Sequence, residues 1–460
     1  MSEITNTKMI TFLAILILAL LPAVSHARDN NLRVGLSTSF DYFDRSFDDR
    51  SDDDDYQRIV LSPMVEFKSL SERDSFTLRA APGIRYDLDD SDTEWDSNFD
   101  LAADRYFTRS WQLGVSNNFL RADYSDTDTD LSIDPTEASQ EIAPSNDPQL
   151  SPDRGRRRYW RNKVALFSNH FYREDSLIRL NGNYIALRND ESGFRGDQDY
   201  DRYTVGILNN HRFNAKWKTN ADFRFVRGDF EPSDSNVTTA NDELSDDVKE
   251  YYLGFGLDNE SIANNLLSLN YNFVSTKYDE DLQDDGDIHR MRLIWRRDFS
   301  SRMYTKLGGG PTYWKTEGRD SEFTWNGIAE FDYKVVEHGF LNFQVEKSTD
   351  VDNFSGSDER GIVDTWYSRL SGSYRLQKDL TLSGRLAYLY EDREDPQVNT
   401  GDIHKDRYTA GTALRYTFWQ YYTAGIDYTY TTQDSDRVGD NYDDHRVLLT
   451  LSWEKDVLHW

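Results

Sequence analysis

The sequence predicts an all-β fold: a transmembrane antiparallel β-barrel of about 20 strands, with 18 or 22 also compatible with the pattern. Three observations carry this prediction. From Leu32 to Trp453, short runs alternate apolar or aromatic residues with polar ones, as in Leu267-Ser268-Leu269-Asn270-Tyr271-Asn272-Phe273 and in Tyr422 to Tyr430. Side chains on a strand point to opposite faces with period two, so each run has one apolar and one wet face. The connections alternate between short turns and long acidic loops, and aromatic residues gather at both ends of the runs. Bacterial barrels show this combination, with short turns in the periplasm and long loops outside the cell.

Composition fits the same reading. The net charge is -29, only 37% of the 460 residues are hydrophobic, and mean hydropathy is -0.79. Such values lean towards disorder in a water-soluble chain. An aromatic content of 14% argues the other way. A barrel reconciles them, because only every second strand residue meets lipid. The absence of Cys removes disulfide and thiolate-metal chemistry.

The elements follow in order. Ile10 to Val24 is the one long apolar stretch, preceded by Lys8 and ended by Ser25-His26-Ala27. It reads as a cleaved signal peptide, giving domains 1–27 (signal) and 28–460 (barrel). The first run begins at Leu32, so no receptor plug, autotransporter passenger or periplasmic helical repeat is expected. Strands are expected near 32–46, 56–70, 75–88, 95–107, 110–124, 158–172, 176–188, 200–213, 217–230 and 249–259. They continue near 264–278, 287–299, 302–315, 322–335, 339–349, 362–376, 380–391, 406–418, 421–433 and 443–454.

Compact turns lie at 71–74, 108–109, 214–216, 300–301, 337–339, 377–379 and Gln420, and the acidic connections run between them. Trp217, Phe299, Phe340, Phe418 and Trp419 flank the turns, while Tyr278, Tyr313, Trp314 and Tyr390 lie near the other end. Amphipathic rings prefer the headgroup level of a bilayer. The run Val447 to Trp453 ends on an aromatic, as barrel proteins commonly do for the assembly machinery. A tail, Glu454 to Trp460, follows, so either Trp453 or Trp460 fits that signal.

Alternation also sorts charges. Arg292 and Arg296 oppose Met291, Leu293 and Trp295; Arg369 and Arg375 oppose Trp366, Leu370 and Tyr374; Arg385 opposes Leu382 and Leu386. Arg415, Arg224, Asp427, Glu330 and Asp332 fall on the wet face by the same rule. A Lys or Arg on the lipid face near the midplane would cost about 2–4 kcal/mol, which supports placing these ten as lumen-lining residues. Two uses stay open: bracing the wall, or a track for an anionic solute. The 126–157 loop is long enough either to fold inward as a constriction or to lie at the surface.

Other motifs say less. Acidic runs such as Asp52 to Asp55 lack calcium-loop spacing and read as solvated surface charge. Gly308-Gly309-Gly310-Pro311 reads as a bend in the wall. His404 and His445 have no metal-ligand spacing. No triad, P-loop or metalloprotease motif is present, so neither catalytic residues, cofactor nor metal is expected.

The layout as a whole, with strands such as Asp406 to Gly411 and His445 to Trp453, resembles the β-barrel porin 2 family of outer-membrane proteins. Some members are associated with exopolysaccharide and PEP-CTERM systems. The resemblance implies an outer-membrane channel in a Gram-negative bacterium, with polysaccharide export as a specific form. The alternative is a structural or surface-interaction barrel whose acidic loops bind a partner or divalent ions. Expected partners are outer-membrane lipid and lipopolysaccharide, the barrel-assembly machinery and a polysaccharide, with no nucleic acid.

Overall fold

A computed structural model describes residues 28–48, 54–123, 158–190, 199–231, 247–279, 284–335, 338–354, 360–393, 403–437 and 439–459. The expected signal segment, the run Asp52-Asp53 and the whole 126–157 loop with Arg154 to Arg157 lie outside them. Among the described residues, one sheet contains twenty strands. They are β1 (Asp29–Phe47), β2 (Asp54–Leu70), β3 (Asp74–Asp87), β4 (Thr93–Thr108), β5 (Trp111–Asp123), β6 (Arg158–Arg173) and β7 (Ser176–Asn189). Next come β8 (Tyr200–Arg212), β9 (Trp217–Phe230), β10 (Val248–Asn259), β11 (Asn265–Tyr278), β12 (Gly286–Ser300), β13 (Met303–Thr316) and β14 (Glu322–Val335). The last are β15 (Gly339–Asp352), β16 (Gly361–Gln377), β17 (Leu380–Arg393), β18 (Ile403–Phe418), β19 (Tyr422–Ser435) and β20 (Tyr442–His459).

Each strand pairs antiparallel with the next, β14 and β15 along only part of their length, and β20 pairs with β1, so the sheet closes into a barrel. Every expected strand is present, with ends shifted by a few residues. The tail after Trp453 departs most from expectation. It continues β20, with Glu454 opposite Gly35 and His459 opposite Asn31 across a register shift at Leu32/Arg33. Arg33 Nε donates to Asp456 Oδ1 at 2.9 Å across this extension.

Local chemistry fixes the short turns. In the β2–β3 turn the Ser71 amide donates to the Asp74 carbonyl at 2.8 Å and the Ser71 hydroxyl to the Asp74 carboxylate at 2.8 Å. The β18–β19 turn places Trp419 and Gln420 at φ of 51° and 66°. Tight hairpins need positive φ, which costs a bulky residue backbone strain. Contacts of the Trp419 ring with Phe418 at 5.4 Å and Tyr422 at 5.8 Å offset that cost.

Register gives the two faces. One carries exposed Leu36, Ile59, Leu61, Val205, Leu253, Leu293, Leu386 and Leu449. Small residues on it, Ala103 and Val115, are covered by Phe76 and Leu166. The other face is the interior and is mostly polar. It carries two apolar clusters, both near the long connections. One gathers Tyr159, Ile185, Leu187, Tyr200, Val226, Phe230 and Val248, and the other Val274, Ile288 and Trp314.

The glycine run of β13 marks an irregularity in the wall. Ladder pairing with β12 skips Met291 and Arg292 opposite Gly310 and Pro311. A Cβ at Gly310 would collide with the Met291 carbonyl oxygen. Asn326, on neighbouring β14, spans the irregularity by donating to the Met291 and Gly310 carbonyls at 3.1 Å each. The chain thus meets the demand that buried carbonyls be satisfied with one inward side chain.

Candidate functional site

The candidate site is the barrel interior, and its packing changes along the axis. On most strands the inward residues nearest the long connections are buried, while those nearest the short turns reach solvent. On β1, Asp41, Phe43, Arg45 and Phe47 are buried, but the Arg33 side chain is 38% exposed. On β12, Ile288 is buried, whereas the side chains of Arg296 and Asp298 are 41% and 50% exposed. The interior is therefore hollow towards the short-turn end and filled towards the other.

At the filled end, the arc around the closure of the barrel is built from ion pairs. Asp41 accepts two bonds from Arg446, both 2.8 Å, and one from Arg58 Nη2 at 2.9 Å. The Arg58 guanidinium lies 4.0 Å over the Tyr56 ring and is fully buried. Arg45 donates to Asp444 at 2.6 Å and sits over Tyr442 at 4.3 Å. Arg85 pairs with Asp96 and, at 3.5 Å, with Glu94. Lys405 pairs with Asp440 at 3.5 Å, and outside this arc Arg393 on β17 pairs with Asp352 at the outer end of β15 at 3.0 Å. Planar, charge-assisted geometry makes these arginine pairs strong and directional. None of these basic residues was singled out from sequence. Arg58 and Arg446 follow from the same alternation, and Arg58 meets Asp41 across the β1–β2 hairpin, but only barrel closure brings Arg446 to the same acid.

From the filled end down the wall, β16, β17 and β18 form a basic strip. Their inward positions carry Arg369, Arg375, Arg385, Arg393, Lys405, Arg407 and Arg415 against a single acid, Glu391. Small residues separate the arginines. Arg375, Thr381 and Arg415 share one row across the three strands; Ser371, Arg385 and Gly411 share another; Arg369, Ala387 and Thr409 a third. Long guanidinium side chains thus rise from a low floor. Arg369 donates to Gln344 at 3.3 Å, and Arg415 approaches Asp427 on β19 at 3.5 Å.

The remaining candidates make separate local networks. Arg292 bonds Asn326 at 2.7 Å and Glu346 at 2.8 Å. Arg296 contacts Asp298 at 3.3 Å and lies 4.4 Å over the Tyr304 ring. Glu330 accepts from the Tyr304 hydroxyl and lies 3.6 Å from Lys306. Asp332 is buried, opposite Tyr304 and Asn342. Arg224 stacks over Tyr252 at 3.9 Å. Structure therefore groups Arg369, Arg375, Arg385 and Arg415 on one strip and leaves Arg292, Arg296, Glu330 and Asp332 on β12–β14, away from Arg224 on β9. Among the histidines, His404 and His445 sit on the outward face, where His445 meets the Tyr428 hydroxyl at 3.0 Å.

The opposite arc of the filled end is occupied by a piece of the chain that sequence reading left at the rim. The outer end of the β15–β16 hairpin leans into the barrel. Phe354 packs on Tyr200 and Phe230 with ring centroids 5.3 and 5.5 Å apart, and the Arg202 guanidinium lies 4.3 Å over it. Arg360 sits 3.6 Å over Phe230. Asn353 donates to the buried carboxylate of Glu250 at 2.6 Å and accepts from Tyr278 at 2.5 Å. Ile362 joins the cluster of Val274, Ile288 and Trp314. Burying one Phe side chain is worth about 1.5–3 kcal/mol, so the tip is held by apolar contact as well as hydrogen bonds.

No protein-family model matches this chain, and no curated protein matches it. Solved structures that resemble it include OccK2 (OpdF) of Pseudomonas aeruginosa in complex with glucuronate, at 11% identity and a TM-score of 0.43, covering 93% of this chain and 98% of that one. OccAB2 of Acinetobacter baumannii is similar at 10% identity and 0.45, covering 92% and 98%. The outer membrane protein OpdK of P. aeruginosa is similar at 11% and 0.42, covering 94% and 99%.

Proposed function

We propose that this chain is a non-enzymatic outer-membrane channel of a Gram-negative bacterium that passes an anionic solute, with an anionic polysaccharide as its specific form. The observation that carries this reading is the basic strip of β16–β18 within an interior that is hollow at one end. The outward face supports the membrane location. Its exposed Leu, Val, Ile and Phe residues form a surface that suits lipid, and closure pairs neighbouring strands around the ring, with the β14–β15 ladder stopping short only at its outer end. Strands of 12 to 19 residues exceed the roughly 9–11 needed to cross when tilted. In this orientation the long acidic connections face the exterior and lipopolysaccharide surrounds the outer rim. Planar-bilayer recording tests the proposal. Expected are stepwise conductance, partial block by acidic oligosaccharides, and loss of anion preference in Arg369→Gln/Arg385→Gln; a protein that inserts but conducts nothing would sink it.

The packed outer end favours a second reading, a structural or surface-interaction barrel whose acidic loops bind a partner or divalent ions. It predicts no conductance, and surface binding that disappears when the acidic loops are shortened.

A further inference from the structure

The ladder between β14 and β15 stops partway. Pairing runs from Val335 opposite Gly339 up to Gly327 opposite Lys347 and goes no further. Beyond it, 322–326 pair only with β13 and 348–352 only with β16 among the described residues. Both segments are nevertheless in strand conformation. Continuing the same register would set Asn326 opposite Ser348, Trp325 opposite Thr349, Phe323 opposite Val351 and Glu322 opposite Asp352. The two strands end on the same rung, so the unpaired stretches match residue for residue.

The faces match as well. By alternation Val351 and Ile362 belong to the outward face of the wall, yet here they pack on the interior residues Val274, Ile288 and Trp314. Leaning inward has turned the apolar side of the hairpin onto the opposite inner wall. In a continued ladder that same side would meet lipid beside Phe323 and Trp325, which are now exposed. Each position thus gives the apolar side an apolar neighbour. Gly361, at φ 123°, sits within the leaning end on its last rung, opposite Asp352, in a conformation that glycine adopts freely.

We propose that the outer end of the β15–β16 hairpin, 348–354 with 360–363, is a two-position gate. In the inward position Phe354 and the Asn353–Glu250 bond hold it against β8–β11 and narrow the outer end. In the outward position 348–352 zip onto 322–326 and complete the wall. Two discrete packings of one element are the usual form of such a switch. This inference rests on the channel reading for its consequence, but the movement itself is read separately.

The chain has no cysteine, so Phe323→Cys/Val351→Cys introduces the only thiol pair. Directly opposed strand residues fall within disulfide reach only if the ladder zips. Oxidation of the reconstituted protein is expected to form the crosslink and fix the larger conductance level, and reduction to restore transitions. Gly228→Val, whose Cβ would lie 2.8 Å from the Phe354 ring, and Phe354→Ala are expected to favour the larger level without any crosslink. A folded, conducting double-cysteine protein with both thiols reactive but no crosslink would overturn the gate and leave the channel standing. A crosslink without conductance would overturn the channel and leave the two positions standing.

Discussion

Two arcs of the filled end share one backbone plan and differ in what holds them. Around the closure, β18 to β20 and β1 to β4 are braced by buried ion pairs centred on Asp41, Asp444 and Asp96. Across the interior, β6 to β13 present apolar side chains to an infolded hairpin end. A buried ion pair cannot open without stranding a charge, so its arc is rigid. An apolar contact inside the barrel exchanges for one with lipid at little cost, so its arc suits a part that moves. The difference locates stiffness at the seam and adjustability opposite it.

Each arc is tested by breaking its own type of contact. The largest effect is expected from Asp41→Asn, which leaves Arg58 and Arg446 facing one another without their acid. A loss of about 3–5 kcal/mol should appear as a lower midpoint in heat-modifiability gels. An unchanged midpoint would mean that the pairs do not brace the seam. Phe354→Ala comes next, removing about 2 kcal/mol of local burial. It should speed amide exchange in 348–354 while the midpoint of the whole barrel stays in place; a global loss would erase the contrast between the arcs. Arg369→Gln/Arg385→Gln lies below both arcs and should alter ion selectivity with a stability change within about 0.5 kcal/mol. The smallest effect belongs to Asp456→Asn, whose exposed pair with Arg33 is screened by water. Its midpoint should match that of the parent protein, which would sharpen the claim that burial gives the seam its stiffness.

Strand number, facing and the existence of a polar interior were legible in sequence because each depends on a period of two. Arg415 could be placed opposite Leu414 and Tyr416 without knowing any neighbour. Long-range partnership was not legible, since Arg446 joins the hairpin pair of Asp41 and Arg58 only through closure, over a separation of 405 residues. The basic strip was visible as scattered arginines, but its rows with Thr381, Ser371 and Ala387 needed the register between strands. The inward lean of 348–354 was hidden for another reason. Ser348-Thr349-Asp350-Val351-Asp352 continues the strand pattern, and nothing local records that the neighbouring strand has let go. The 126–157 segment, whose length allows either a constriction or a surface loop, lies outside the described residues; among those described, the narrowing comes from the outer end of the β15–β16 hairpin.

The pairing of β20 with β1 has a consequence for how the molecule comes into being. Asn31 opposite His459 and Arg33 opposite Asp456 join the two most distant parts of the described chain, 423 residues apart for the latter pair. Contacts of such sequence separation form late and slowly. Until they form, the sheet is open with two bare edges, which on the proposed membrane reading lie in a solvent that offers them no hydrogen bonds. The extra rungs after Trp453 lengthen that final clasp, so shortening the chain there should slow the last step of assembly more than it weakens the finished ring.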